Sequence, residues 1–192
     1  MSSSANAVTL DCWFFFIDWQ EISDNYACDT QINDIHGGNK ENVTGVTGDH
    51  LGFRNNDDVK TLTISRQPLL TQIPKDIARF FKNIEGLEVR DCQLSSITSE
   101  DLRPFPALTV LNIEENNLVS LSGDLFVFTP NLIWLRSLDN RIQHVGYGLL
   151  DNLHNLKYAS FSRNDCIDMS ARNPAELAML KEALRQLCPY YY

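Results

Sequence analysis

Residues 108–121 read LTVLNIEENNLVSL. Apolar side chains fall at Leu108, Leu111, Ile113, Leu118 and Leu121, with Asn116 set between Ile113 and Leu118, so the stretch has the form L-x-x-L-x-L-x-x-N-x-L. Outward from Leu111 the same slot is filled by Leu87 and Leu62 on one side and by Leu135 and Ala159 on the other, in steps of 25, 24, 24 and 24 along the chain. Five residues past each stand Gln67, Cys92, Asn116, Asn140 and Asn164, and two further on Leu69, Leu94, Leu118, Ile142 and Cys166. Five copies in register make this a repeat protein.

The pattern dictates a local structure. Alternation over Leu111 and Ile113 predicts a short strand with those two side chains inward and Val110, Asn112 and Glu114 outward. One repeat cannot bury its own leucines, so neighbours must stack to make a core. At the Asn slot the chain turns inward and its backbone groups leave water. A buried amide, carrying donors and acceptors together, can satisfy successive turns as a ladder. Cys92, Asn116, Asn140 and Asn164 form that ladder, and Gln67 fits it less well, as a first repeat merging into a cap. The predicted fold is an α/β leucine-rich repeat solenoid of about five repeats. It has a parallel concave sheet, a β-type N-terminal cap and a helical C-terminal cap. The convex side is anchored by Ile77, Phe80 and Phe81, then Leu102 and Phe105, then Leu125, Phe126 and Phe128, then Leu149, Leu150 and Leu153. Ser137 breaks the pattern where Leu or Ile is expected, which implies either a small gap or a locally irregular strand.

The chain of 192 residues suffices for one domain with a real core. The division expected is a disordered segment 1–10, a cap and entry loop 11–58, repeats 59–165 and a C-terminal cap 166–192. Sixteen basic against 25 acidic residues give a net charge of −9, which disfavours a nucleic-acid or anionic-membrane surface. The longest apolar run, Trp13 to Ile17, is far too short to cross a membrane. MSSSANAVTL lacks a basic n-region and an apolar h-region, so no signal peptide is expected there.

Of the five cysteines, Cys92 belongs to the ladder. Cys12, Cys28, Cys166 and Cys188 fall in two close pairs flanking the repeats. In a rigid solenoid the ends are far apart, and a bridge needs Cα atoms about 4.4–6.8 Å from each other, so Cys12–Cys28 and Cys166–Cys188 are the feasible pairs. They imply an oxidising compartment. The competing reading is four reduced thiols in a cytosolic protein.

Around the first pair, WFFFI and the YAC segment read as two antiparallel strands. The aromatics Trp13, Phe14, Phe15, Phe16 and Trp19 are expected to cover the open end of the core, the alternative being a ligand platform. VTGV, after a glycine-bearing loop, reads as a short strand, and Asn42-Val43-Thr44 is an N-glycosylation sequon. At the other end Asn173, Pro174 and Glu176 are N-cap, first-turn and capping-box residues of a helix. Its stripe Leu177, Leu180, Leu184 and Leu187 should lie on the last repeat.

The cysteine-bearing ends, the VTGDHLG…NNDDVKTLTI entry, the IPKDI…FF segment and the NDCIDMS…LKEALRQLCP ending together resemble the extracellular leucine-rich repeat family. More narrowly they resemble the short secreted proteins of that family found in flies, midges and mosquitoes. The resemblance covers about residues 11–189. It implies recognition of a protein by the concave sheet, without catalysis, as in insect immune proteins and developmental receptor ectodomains.

No catalytic or metal-binding constellation is evident. His36 and His50 lie in the entry loop, His144 and His154 fall outside the strands, and none is spaced for a triad or a metal. The acidic pairs Asp57-Asp58 and Glu114-Glu115 read as solvated, and no cofactor is implied. The outward columns instead define a candidate binding face: Val110, Trp134, Tyr158 and Leu138 as an apolar patch, Arg136 and Arg163 beside it, and Asn112 and Glu114 adjoining. Aromatic and arginine anchors within a polar rim are the composition of a binding hot spot. The opposing reading is that the C-terminal cap or a loop covers Trp134 and Tyr158. A glycan- or surface-binding module using the same aromatics, and a cytosolic scaffold, are the alternative functions.

Overall fold

The computed structural model describes residues 7–19, 21–33 and 41–189. Each copy of the repeat contributes one strand: β4 (Thr61–Ser65), β5 (Gly86–Arg90), β6 (Val110–Asn112), β8 (Trp134–Arg136) and β10 (Tyr158–Ser160). They pair in parallel with Leu62, Leu87, Leu111, Leu135 and Ala159 as successive register partners. All five are fully buried, as are Ile64, Val89, Ile113 and Phe161 two residues on. The slot that repeats in the sequence is therefore a physical column in the core. Truncating one of its leucines to alanine would cost about 2–5 kcal/mol.

The sheet is wider than the repeat count. β1 (Ala7–Phe16) and β2 (Tyr26–Asn33) are antiparallel, and β2 pairs in parallel with β4, so Cys28 takes the inward slot beside Leu62. β3 (Asn42–Thr47) adds a parallel edge strand beside β1, and β11 (Ser170–Ala171) pairs antiparallel with β10. Among the described residues this makes one sheet of nine strands. The disorder expected over residues 1–10 does not hold for residues 7–10, which form the start of β1 because Val8 and Leu10 are buried in the core. Residues 1–6, and His36 in the entry loop, lie outside the described residues.

The convex side carries 3-10 turns at Asn56–Asp58 and Ile77–Arg79, helix α1 (Ser99–Leu102), and two short strands, β7 (Ser120–Leu121) and β9 (His144–Val145). His144 is thus in a strand, with Nδ1 2.9 Å from the Pro189 carbonyl. The convex anchors are buried, except that Phe80 and Phe128 are half-buried. One alignment needs correcting. Leu69 is exposed and Leu70 takes the inward position, because the first repeat is one residue longer than the others.

The ladder is periodic in its hydrogen bonds. Asn116, Asn140 and Asn164 each accept on Oδ1 from the backbone N–H 22 residues earlier, of Leu94, Leu118 and Ile142, at 3.0–3.1 Å. Each donates from Nδ2 to the carbonyl 27 residues earlier, of Val89, Ile113 and Ser137, at 2.7–2.9 Å. The Cys92 thiol donates to the Arg90 carbonyl at 3.3 Å, and Gln67 turns back onto the Ser65 carbonyl. The residue before each ladder position, Arg66, Asp91, Glu115, Asp139 and Arg163, has φ of 52–56°, which is how the chain makes the inward turn.

Disulfides close both ends, Cys12–Cys28 with Cα atoms 5.2 Å apart and Cys166–Cys188 at 5.3 Å, while Cys92 is free and buried. At the C-terminal cap, helix α2 (Pro174–Leu187) is capped by Asn173, whose Oδ1 accepts from the Glu176 N–H. The Glu176 carboxylate reaches Arg172 N–H rather than that of Asn173, so the capping box is displaced by one residue. Leu177, Leu180 and Leu184 are buried; Leu187, expected in the stripe, is exposed at the last turn.

Candidate functional site

Because the strands are in register, the outward side chains form continuous rows across the sheet. One row runs Phe15, Ala27, Thr61, Gly86, Val110, Trp134, Tyr158. The next runs Trp13, Asp29, Thr63, Glu88, Asn112, Arg136, Ser160. The two cap strands therefore extend the same face that the repeats build.

In the C-terminal half the columns bring together the residues the sequence singled out. Trp134 and Tyr158 stack with ring centroids 4.6 Å apart and planes 24° from parallel. The Arg136 guanidinium lies over the Trp134 ring at 4.9 Å and pairs with Glu114 at 3.2 Å. Arg172, from the cap, stands 5.9 Å from the Tyr158 ring. Trp134, Tyr158 and Leu138 stay half-buried, so the C-terminal cap leaves part of each open. Such an arrangement holds a flat apolar surface and one cation in place before a partner arrives, which lowers the entropy cost of binding.

Two of the named residues are not accessible. Val110 and Asn112 are each 2 % exposed. Asn112 is committed within the face: its Nδ2 donates to Glu88 at 3.0 Å and its Oδ1 accepts from the Glu114 N–H at 3.1 Å. Glu88 also accepts from the Thr63 hydroxyl at 3.0 Å. Glu114, expected to face water, has a side chain only 12 % exposed because Arg136 covers it. Arg163 is exposed, and its guanidinium pairs with Asp139 at the rim. Away from this face, Asp151 holds the Arg185 guanidinium above its usual range through a hydrogen bond.

The N-terminal half of the first row is closed. The β1–β2 connection folds over the sheet, placing Trp19 and Ile22 above Gly86. Ile22 is buried there, and Asn25 below it accepts from the Thr61 hydroxyl at 2.7 Å. Trp19 therefore covers the outer face rather than the end of the core. Within the aromatic run only Phe14 meets the expectation fully: it is buried and lies against Tyr26 and His50. Trp13, opposite in pleat, is 77 % exposed on the outer face. The signal for the covering loop was Gly86 itself, a glycine in an outward column whose φ is not positive, which marks close approach by another element. The sequence pattern held no signal for Arg172 over Tyr158, since that contact crosses from the cap.

No group of three or more His, Cys, Asp or Glu that could hold a metal occurs among the described residues. No described helix is long and apolar enough to cross a membrane.

No family model matches the sequence, and no curated protein does. Solved structures match in fold. A chain of the Toll–Spatzle complex from Drosophila has a TM-score of 0.53 at 16 % identity over 64 % of this chain. The APL1 leucine-rich repeat domain has a TM-score of 0.53 at 18 % identity over 81 % of it. This chain spans 17 % and 36 % of the length of those two. In fold, this chain is a leucine-rich repeat solenoid with a disulfide-bonded cap at each end.

Proposed function

We propose that the chain is a non-catalytic recognition module, secreted or displayed at a cell surface, that binds a protein ligand on the C-terminal half of its concave face. The observation carrying this is the Trp134–Tyr158 stack under Arg136, half-exposed and held in place by Glu114. Aromatic and arginine anchors that are already ordered are the residues on which binding energy concentrates. Two disulfides support an oxidising compartment over a cytosolic scaffold. The Toll–Spatzle complex is described as a hub in development and innate immunity, and a role in insect immunity or surface signalling is the corresponding proposal here. Asn42 is the proposed glycosylation site; it opens β3 and is half-buried, with the sequon's Thr44 hydroxyl donating to the Val8 carbonyl.

The test is a screen of secreted and surface ectodomains, followed by Trp134→Ala/Arg136→Ala in the chain. The double substitution should abolish binding of the ectodomain recovered. Since losing Arg136 strands a largely buried carboxylate, Trp134→Ala/Tyr158→Ala serves as the second variant, leaving the ion pair intact. Undiminished affinity in both would remove the site from this face. Hits confined to glycans and lost with Trp134→Ala would favour the glycan- or surface-binding reading through the same aromatics.

A further inference from the structure

A cavity of about 560 Å³ opens between the N-terminal hairpin and the first repeat. It lies at the N-terminal end of the same face, away from the Trp134–Tyr158 half. Trp13 on β1 and Trp134 on β8 are five strand spacings apart, roughly 24 Å at about 4.8 Å per step. We propose that this cavity is a saccharide-binding site, with Trp13 as the platform on which a pyranose ring stacks.

The aromatic comes first. Trp13 is 77 % exposed, and it is so because the pleat directs Cys12 and Phe14 into the core and residue 13 out. Its register partner Asp29 stands beside it on the same face, and Asp11 is two residues back along the same strand. The Asp11 carboxylate is oriented by the Thr47 hydroxyl at 2.9 Å. On the far wall are Ser65, Arg66 and Gln67. Ser65 is 6 % exposed. Gln67, which also lines the cavity, donates an amide N–H to the Ser65 carbonyl at 3.1 Å. Arg66 sits in the inward turn at φ 54°, with its side chain exposed.

Charge and hydrogen-bond type together select the ligand. An anion here would face Asp11 and Asp29; a cation would face Arg66. A neutral ligand meets neither penalty. Carboxylates only accept and a guanidinium only donates, while hydroxyl and amide groups do both. The ligand matching that wall must therefore offer many groups that donate and accept, around one flat apolar face for the indole. A pyranose is such a molecule: ring C–H groups on one face and hydroxyls along the rim. The volume lies within the range of small-ligand sites.

The experiment uses the whole chain with both disulfides formed. Binding is screened on a glycan array, then hits are titrated as methyl glycosides while the Trp13 indole N–H is followed by NMR. Saccharide binding that moves the Trp13 signal is expected. Trp13→Ala should weaken it about tenfold or more, the size of a stacking contact. Asp29→Ala should weaken it as well, and Trp134→Ala should leave it unchanged. A free oligosaccharide competing with the same glycan on a glycoprotein would distinguish the two sources. An empty array overturns the proposal. So does binding that survives both Trp13→Ala and Asp29→Ala, or a Trp13 response to N-acetylarginine amide or inorganic phosphate but not to sugars. Loss with Trp134→Ala instead would assign any glycan binding to the C-terminal half of the face, so the two sites fail separately.

Discussion

Ile22 lies over Gly86 so closely that a Cβ on residue 86 would stand 3.0 Å from its Cδ1 and 2.6 Å from the Thr61 hydroxyl. That hydroxyl is committed to Asn25 at the foot of the same loop. Gly86→Ala should therefore lift the loop or break the Thr61–Asn25 bond, at about 1–3 kcal/mol of stability. A fall of several degrees in Tm with a red shift in Trp19 emission is the expected readout. Adding Thr61→Ala removes one of the obstructing atoms, so its cost should be less than additive. Additive costs, or an unchanged Tm for Gly86→Ala alone, would show that the loop does not rest on this glycine.

The repeats were legible because the same requirement is written five times. Leu62 through Ala159 must all be inward, and Asn116, Asn140 and Asn164 must all serve a turn that recurs. The cap strands were legible from Cys12, Cys28 and the apolar run, but the direction of each aromatic was not. WFFFI is apolar on both faces of the pleat, so hydrophobicity cannot tell Phe14 from Trp13. The outward residues of the candidate face fall in columns, since register follows from the repeat. Their exposure was not legible: Val110 is 2 % exposed, and Glu114 pairs with Arg136 from the next repeat. Leu69 was misassigned for the simplest reason: with two adjacent leucines, one inserted residue moves the inward slot to Leu70.

The cysteines give a prediction in two parts. Alkylation under denaturing, non-reducing conditions, on protein made in an oxidising secretory host, should add one group, to Cys92; five groups would remove both cap bridges. In the native state Cys92 should resist alkylation, because burial pushes its thiol up to about 11, with Asp91 nearby adding to the effect. The thiolate is the nucleophile, so at pH 8 the folded protein should react about a hundredfold more slowly than the unfolded chain. The folded pKa lies above the unfolded value of 9.0, so the folded state holds the proton more tightly. This contribution is complete below pH 9 and declines as pH rises toward 11. A Tm that rises across that window would contradict the sign.

Ser137 occupies the inward slot that Ile64, Val89, Ile113 and Phe161 fill in the other repeats. The repeat is regular there, since the Ser137 N–H donates to the Ser160 carbonyl at 2.8 Å and its own carbonyl accepts from Asn164. Yet the side chain is fully buried and its hydroxyl is paired with no described residue. A small residue beside the large, fully buried Phe161 keeps the summed volume of neighbouring slots close to that of two medium side chains. Two variants separate compensation from a gap. Ser137→Ala removes an unpaired polar group and should raise stability by about 1 kcal/mol, read from urea midpoints at constant m. Ser137→Leu must displace Phe161 if volume is compensated, and should lower stability by about 1–3 kcal/mol. Stabilisation by leucine would instead reveal an empty slot. Destabilisation by alanine would mean that the hydroxyl has a partner, and that serine at this position supports the strand.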